Sequence, residues 1–180
     1  TQQAAAGYEV FRPYAGAGCH KEEFEQLAAA NPDIVKLVTI GQSVNGQDII
    51  AIKITRRANQ TRDGRRPATL YSSAQHAREW ITPEMNRRLA HHVVDGYGSD
   101  AALTDLVDST ELWFVPVANP DGYDFTFTPG HRDWRKNLRD NNGDGRITFG
   151  DGVDPNRNFP TKWGYDEEGS SSLPGSETYR

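Results

Sequence analysis

In the stretch "YSSAQHAREWITPE", residues 71–84, His76 and Glu79 stand three positions apart, between an apolar run and the start of a helical pattern. A neutral imidazole and a carboxylate are both good zinc ligands, and catalytic zinc sites commonly combine two His and one Glu with a water. On a turn that leads from a strand into a helix, both side chains can converge on one point. The same pair also occurs on wet helix faces where it binds nothing, and a catalytic zinc needs a third protein donor. The other histidines do not supply it. His91 and His92 are neighbours in a helical stretch, so they point in different directions, and both read as solvated. His131 sits in "TPGHRDWRKNLRD", among arginines that disfavour a cation.

Two later segments carry further candidate chemistry. In "HRDWRKNLR" and "GVDPNRNFP", Arg135 and Arg157 are ordinary surface residues on one reading. On the other, Asn156 and Arg157 grip a carboxylate, the guanidinium acting as a two-pronged donor, and Arg135 adds a second positive charge. Between them, "DNNGDGRITFGD" fits a calcium loop of the EF-hand kind. Asp140, Asn142 and Asp144 take its first, third and fifth positions, Gly145 its turn, and Arg146 offers a backbone carbonyl. The twelfth position is Asp151, one methylene shorter than the usual Glu. A metal-free cluster of Asx and Gly turns is the alternative. Calcium is the expectation, because the segment needs a staple and adjoins Arg135 and residues 154–157.

The elements that must position these residues follow from pattern. "KEEFEQLAAA" has helix composition and stops at Asn31-Pro32. "IVKLVTIGQSVNGQDIIAIKI" reads as two strands joined near Asn45-Gly46. "TRRANQTRDGRRP" reads as a surface loop, and the absence of interleaved aromatic residues argues against a nucleic-acid patch. Residues 68–73 form a short strand. A helix follows, with Thr82 as N-cap, Gly96 as stop, and Met85, Leu89 and Val93 as apolar stripe. Residues 110–118 make another strand, and strands alternating with helices imply an α/β sheet. Beyond Ala118 no long periodicity appears. So long an irregular stretch implies function or ligands.

Composition sets the limits. A chain of 180 residues buries roughly 70% of its unfolded surface. A formal charge of −5 is unsuited to gripping phosphate backbones, so no nucleic-acid partner is expected. No apolar stretch approaches the roughly 18 residues of a membrane span. The chain opens "TQQAAAGYEVFRPY", with neither an initiator Met nor a signal segment, and reads as a processed, secreted product or a fragment. Cys19 is the one cysteine, either a lone thiol or a partner for another chain.

Taken together, "GQSVNGQDIIAIKI", "HAREW", "PVANPDGYDF", "WRKN", "GVDPNRNF" and "SETYR", with "YEVFRPY" before them, resemble the zinc metallocarboxypeptidases of the carboxypeptidase A/B type. Among these the bacterial carboxypeptidase T-like members look nearest. The resemblance covers nearly the whole chain and implies an α/β fold with a mixed, mostly parallel central sheet and helices on both faces. It implies zinc held by His76 and Glu79, with Asp154 orienting His76. Arg135 would stabilise the oxyanion, Asn156 and Arg157 would bind the terminal carboxylate of a peptide substrate, and Arg78 would line the subsite across the scissile bond. It also implies a third zinc ligand and a general-base Glu outside this sequence. Residues 1–180 are therefore expected to be the N-terminal part of one catalytic domain, cut after Arg180, inactive alone and completed by a bound C-terminal segment. A related amidohydrolase of the acylase type, or a peptide-binding fragment without turnover, are the rival readings.

Overall fold

The computed structural model describes residues 10–180, so the opening residues 1–9, including the first two of "YEVFRPY", lie outside the described residues. In chain order the elements are α1 (His20–Ala30), β1 (Val35–Gln42), β2 (Asp48–Ile54), β3 (Ala68–Ser72), α2 (Ile81–Gly96), α3 (Ala101–Ser109), β4 (Glu111–Val115) and α4 (Pro120–Phe125). A single 3-10 turn follows at Pro155–Arg157.

The hairpin expected at Asn45-Gly46 is present. β1 and β2 pair antiparallel, and Gly46 takes φ 81°, a left-handed value that glycine adopts without a Cβ penalty. The turn is pinned from outside: Asp121 accepts hydrogen bonds from Ser43 Oγ at 2.7 Å, Asn45 N at 2.9 Å and Gln47 Nε2 at 3.0 Å. The strand order is β1-β2-β4-β3, with β2–β4 antiparallel and β3–β4 parallel. The fold is thus α/β around a mixed sheet, as expected, with parallel pairing confined to β3–β4 among the described strands. β4 ends at Val115, short of the expected Ala118, because Pro116 has no N–H for the ladder. β3 is an outer strand, and Leu70 on it is 65% exposed.

Ile50, Ile52 and Ile54 of β2 and Leu112 and Phe114 of β4 form the centre of the core. Phe24 and Leu27 of α1 and Ala90, Val93 and Val94 of α2 pack against them. Burying each side chain the size of Ile52 contributes about 1.5–3 kcal/mol.

Helix α2 departs from its expected pattern. Met85 is 59% exposed, while Glu84, Asn86 and Arg87 are buried beside Ala90, Val93 and Val94. These polar groups tolerate burial because each is partnered. Arg87 reaches Glu84 at 2.9 Å and Glu23 of α1 at 3.4 Å, and Arg12 also pairs with Glu23. Asn86 Nδ2 donates to the carbonyls of Tyr71 and Val115. His91, expected to be solvated, lies 2.7 Å from Glu23 Oε1 through Nε2. Thr82 is not the cap: the helix starts at Ile81, and the Thr82 hydroxyl donates to Glu79 O while accepting from Ala74 N. Helix α3 was not anticipated, though Asp100 caps it by accepting from Ala102 N and Leu103 N. No helix among the described residues is long and apolar enough to cross a membrane.

His20, on α1, is fully buried near Glu84 and Tyr123. Burial first, and then the charges of Arg12 and Arg87, push its pKa from 6.5 down to about 3. The unfolded chain therefore takes up a proton near pH 6.5 that the folded chain refuses until about pH 3. Folding stability is therefore undiminished by His20 above the unfolded value and falls as pH drops toward the folded one, by up to ~1.4 kcal/mol per pH unit. Urea unfolding between pH 7.5 and 4.5 is expected to show a shallower acid loss in His20→Gln than in the parent protein. Parallel losses would rule His20 out as the group responsible.

Candidate metal and carboxylate site

The turn between β3 and α2 carries His76 and Glu79. Its backbone is strained at Ala74, whose φ of 48° costs a residue with a Cβ about 1–2 kcal/mol. The strain is held from both sides. Thr82 Oγ1 accepts from Ala74 N at 3.0 Å, and Asn119 N donates to Ala74 O at 3.1 Å. Asn119 is itself buried, and its side-chain amide donates to Gln75 O and Lys136 O. Ala77 N donates to Arg135 O at 3.0 Å. Three segments far apart in sequence thus meet under the motif. Asn119 was not read from the sequence as a positioning residue, although an Asn before Pro and Gly after a strand is a turn signal.

At the centre, His76 Nδ1 lies 2.8 Å from Glu79 Oε1, and Nε2 lies 3.2 Å from Asp154 Oδ1. Asp154 is fully buried. Its second oxygen accepts from Arg135 Nε at 3.1 Å and Nη2 at 2.8 Å, and Oδ1 also accepts from Asn156 N at 2.8 Å. Gly152 lets the chain reach this point: its φ is 76°, and a Cβ there would stand 2.4 Å from Asn137 O. The result is a line of partners, Glu79, His76, Asp154 and Arg135. Metal-bound imidazoles usually donate their outer N–H to a carboxylate in this way, which turns the other ring nitrogen toward the ion. His76 and Glu79 therefore fit zinc as two of its ligands. Among the described residues no group of three His, Cys, Asp or Glu is arranged to hold a metal ion.

Asn156 connects this centre with Arg157. It lines a cleft of about 140 Å³ with His76 and Glu79, and a second of about 230 Å³ with Arg157, Trp163 and Tyr165. Arg157 is steadied through Nε to Gly169 O at 2.6 Å and Nη1 to Asn156 O at 2.9 Å. Arg78 reaches Glu177 Oε2 at 2.9 Å and Asp133 O at 3.1 Å, while Glu177 O accepts from Arg135 Nε at 3.1 Å. Glu177 thus ties Arg78 to Arg135, a role with no local signal in "SETYR".

The loop 140–151 folds around its own backbone. Asp140 accepts from Gly143 N and Gly145 N, Asn142 Oδ1 from Asp144 N, and Asp144 from Arg146 N. Asp151 is buried and accepts from Asn141 N and from the backbone and hydroxyl of Thr148. Those bonds, the Thr148 hydroxyl first, hold its carboxyl below the usual carboxylate range. The expected calcium ligands Asp140, Asn142, Asp144 and Asp151 accept bonds within the loop, and among the described residues no three of its carboxylates are gathered as a metal-binding group.

The family described as zinc carboxypeptidase matches residues 20–180. A zinc carboxypeptidase of Saccharothrix mutabilis subsp. capreolus is 35% identical over 165 residues, covering 91% of this chain and 36% of its own length. Carboxypeptidase A2 of Rattus norvegicus is 35% identical over 158 residues, covering 88% of this chain and 35% of its own. This chain thus spans about a third of the length of the curated relatives it matches. Among solved structures, carboxypeptidase A from Helicoverpa armigera superposes with a TM-score of 0.77 at 31% identity, over 98% of this chain and 42% of that one. Thrombin activatable fibrinolysis inhibitor gives 0.79 at 28% identity, over 99% and 43%.

Because Asp154 is buried and neutralises Arg135, removing its charge strands a half-buried guanidinium. Urea unfolding of Asp154→Asn at pH 7 is expected to show a loss of about 3 kcal/mol or more. A loss under about 1 kcal/mol would mean that Arg135 is solvated in the folded protein.

Proposed function

The chain belongs to the zinc carboxypeptidase family, and from that premise we propose that it forms part of a zinc-dependent exopeptidase that hydrolyses the C-terminal peptide bond of peptides and proteins. The observation that carries the reading is the line from Glu79 through His76 and Asp154 to Arg135, with Asn156 and Arg157 one residue apart beside it.

In this reading His76 Nδ1 and Glu79 hold the metal, and Asp154 keeps the proton of His76 on Nε2. Bound zinc supplies Lewis acidity and brings the pKa of a coordinated water to about 7. Arg157 and Asn156 bind the substrate's terminal carboxylate, which only a chain end possesses, and so exclude internal peptide bonds. Arg135 already spends Nε and Nη2 on Asp154, and its remaining Nη1 donates to the scissile carbonyl as negative charge develops there. Arg78 contacts the residue before the scissile bond.

Two donors do not complete a catalytic zinc site, so the third ligand and the general base come from a further segment of the same domain. The open edge of β3, with Leu70 exposed, supports such a partner. An extracellular setting belongs to the same reading. Calcium at 140–151 finds no support beyond the spacing of the loop, whose carboxylates accept bonds from their own backbone.

The test is release of the terminal amino acid from N-blocked dipeptides by the protein together with its completing segment. Turnover is expected to vanish with a zinc chelator and return with zinc. Arg157→Leu should raise KM at least tenfold, and an amide-capped terminus should not be cleaved. Equal cleavage of free and amide-capped substrates would point to an amidohydrolase instead. Absence of bound zinc and of turnover would leave only peptide binding. A calcium-selective chelator is expected to leave the melting temperature unchanged, and a drop of several degrees would restore the calcium site.

A further inference from the structure

The loop between β2 and β3, residues 55–67, holds five arginines against a single acid, Asp63, in a chain whose net charge is −5. Arg56, Arg57, Arg62, Arg65 and Arg66 line one concave surface of about 760 Å³, and its two other lining residues are the neutral Gln60 and Thr61.

The loop is anchored from beneath. Lys53 on β2 is fully buried, and its Nζ donates to Thr61 O at 2.7 Å and Asp63 Oδ1 at 2.5 Å. Lys36 adds a weaker contact to Asp63 at 3.4 Å. Glu111 on β4 is also fully buried, and its two oxygens accept from the backbone N–H groups of Gly64, Arg65 and Arg66. Burial pushes the Glu111 carboxyl up, but the N–H groups of Gly64 and Arg66, with the Trp113 indole and the Lys53 charge, outweigh it and hold it below its ordinary range.

This anchoring has an electrostatic result. Glu111 spends both oxygens on backbone N–H groups, and Asp63, itself exposed, is engaged by Lys53 and Lys36. Arg56 meets Asp108 at 3.4 Å, and Arg66 donates from Nη1 to the neutral Thr55 Oγ1 and Arg56 O. Arg57, Arg62 and Arg65 make no ion pair among the described residues, and all three are exposed. Arg57 moreover sits at φ 55°, a backbone state that favours glycine, and its carbonyl accepts from both Gln60 N and Thr61 N.

We propose that this surface is an anion-binding site for a small ligand carrying several clustered phosphate or sulfate groups. Planar guanidinium forks match tetrahedral oxyanions two bonds at a time, and several forks around one hollow favour several such groups on one ligand. No aromatic or aliphatic side chain lines the surface, so neither nucleobase stacking nor an acyl chain contributes. The site is separate from the metal centre: the loop leads into the start of β3, whereas His76 follows its end.

Calorimetric titration of the protein at low salt, with tripolyphosphate and with sucrose octasulfate, tests the assignment. Both ligands, or one of them, should bind, and the affinity should fall as salt rises. Orthophosphate should bind at least tenfold more weakly. Arg62→Ala/Arg65→Ala should weaken binding at least tenfold, while Lys21→Ala/Arg139→Ala, which removes equal charge elsewhere, should not. Binding of only one ligand would identify the source as phosphate or sulfate. No binding by either, equal affinity for orthophosphate, or equal loss in both double variants would overturn the proposal.

Discussion

One buried carboxylate organises the candidate site. Asp154 has no access to water, yet it faces an imidazole, a guanidinium and a backbone N–H at once. A lone charge there would be prohibitively costly, so its partners are fixed as firmly as it is. It sets which nitrogen of His76 faces Glu79, occupies two of the donors of Arg135, and starts the turn that presents Asn156 and Arg157. Disturbing it would shift every one of these groups together.

The surrounding framework delivers this geometry with polar rather than apolar fasteners. Asp121 fixes the β1–β2 turn, Asn119 joins three loops, and Glu23, Glu84, Arg12 and Arg87 lock α1 to α2 and the opening segment. Hydrogen bonds of this kind are directional, so they specify positions in irregular backbone that close packing alone would leave loose. That explains how some sixty residues with little regular structure form a defined surface.

The β-hairpin, β3, α2 and the His76–Glu79 motif were legible in the sequence because turn chemistry and periodicity are local signals. The burial of Glu84, Asn86, Arg87 and His91 was not, since a charged residue looks solvated until its distant partner is known. The same reasoning applies to Asn119 and Glu177, whose roles depend on segments far away in the chain. The loop 140–151 is open to two readings in the sequence. Its spacing matched a calcium motif, but Asp and Asn satisfy a tight turn as readily as they satisfy an ion, and Asp151 is drawn to Thr148.

The bond between His76 and Asp154 spans 78 residues of chain. Closing so long a loop costs more entropy than a local contact does, so the pair depends on the folded chain between them to hold it. The β1–β2 hairpin and the helices can form from neighbours alone. The orientation of His76 is therefore a property of the tertiary structure rather than of the short motif that carries it.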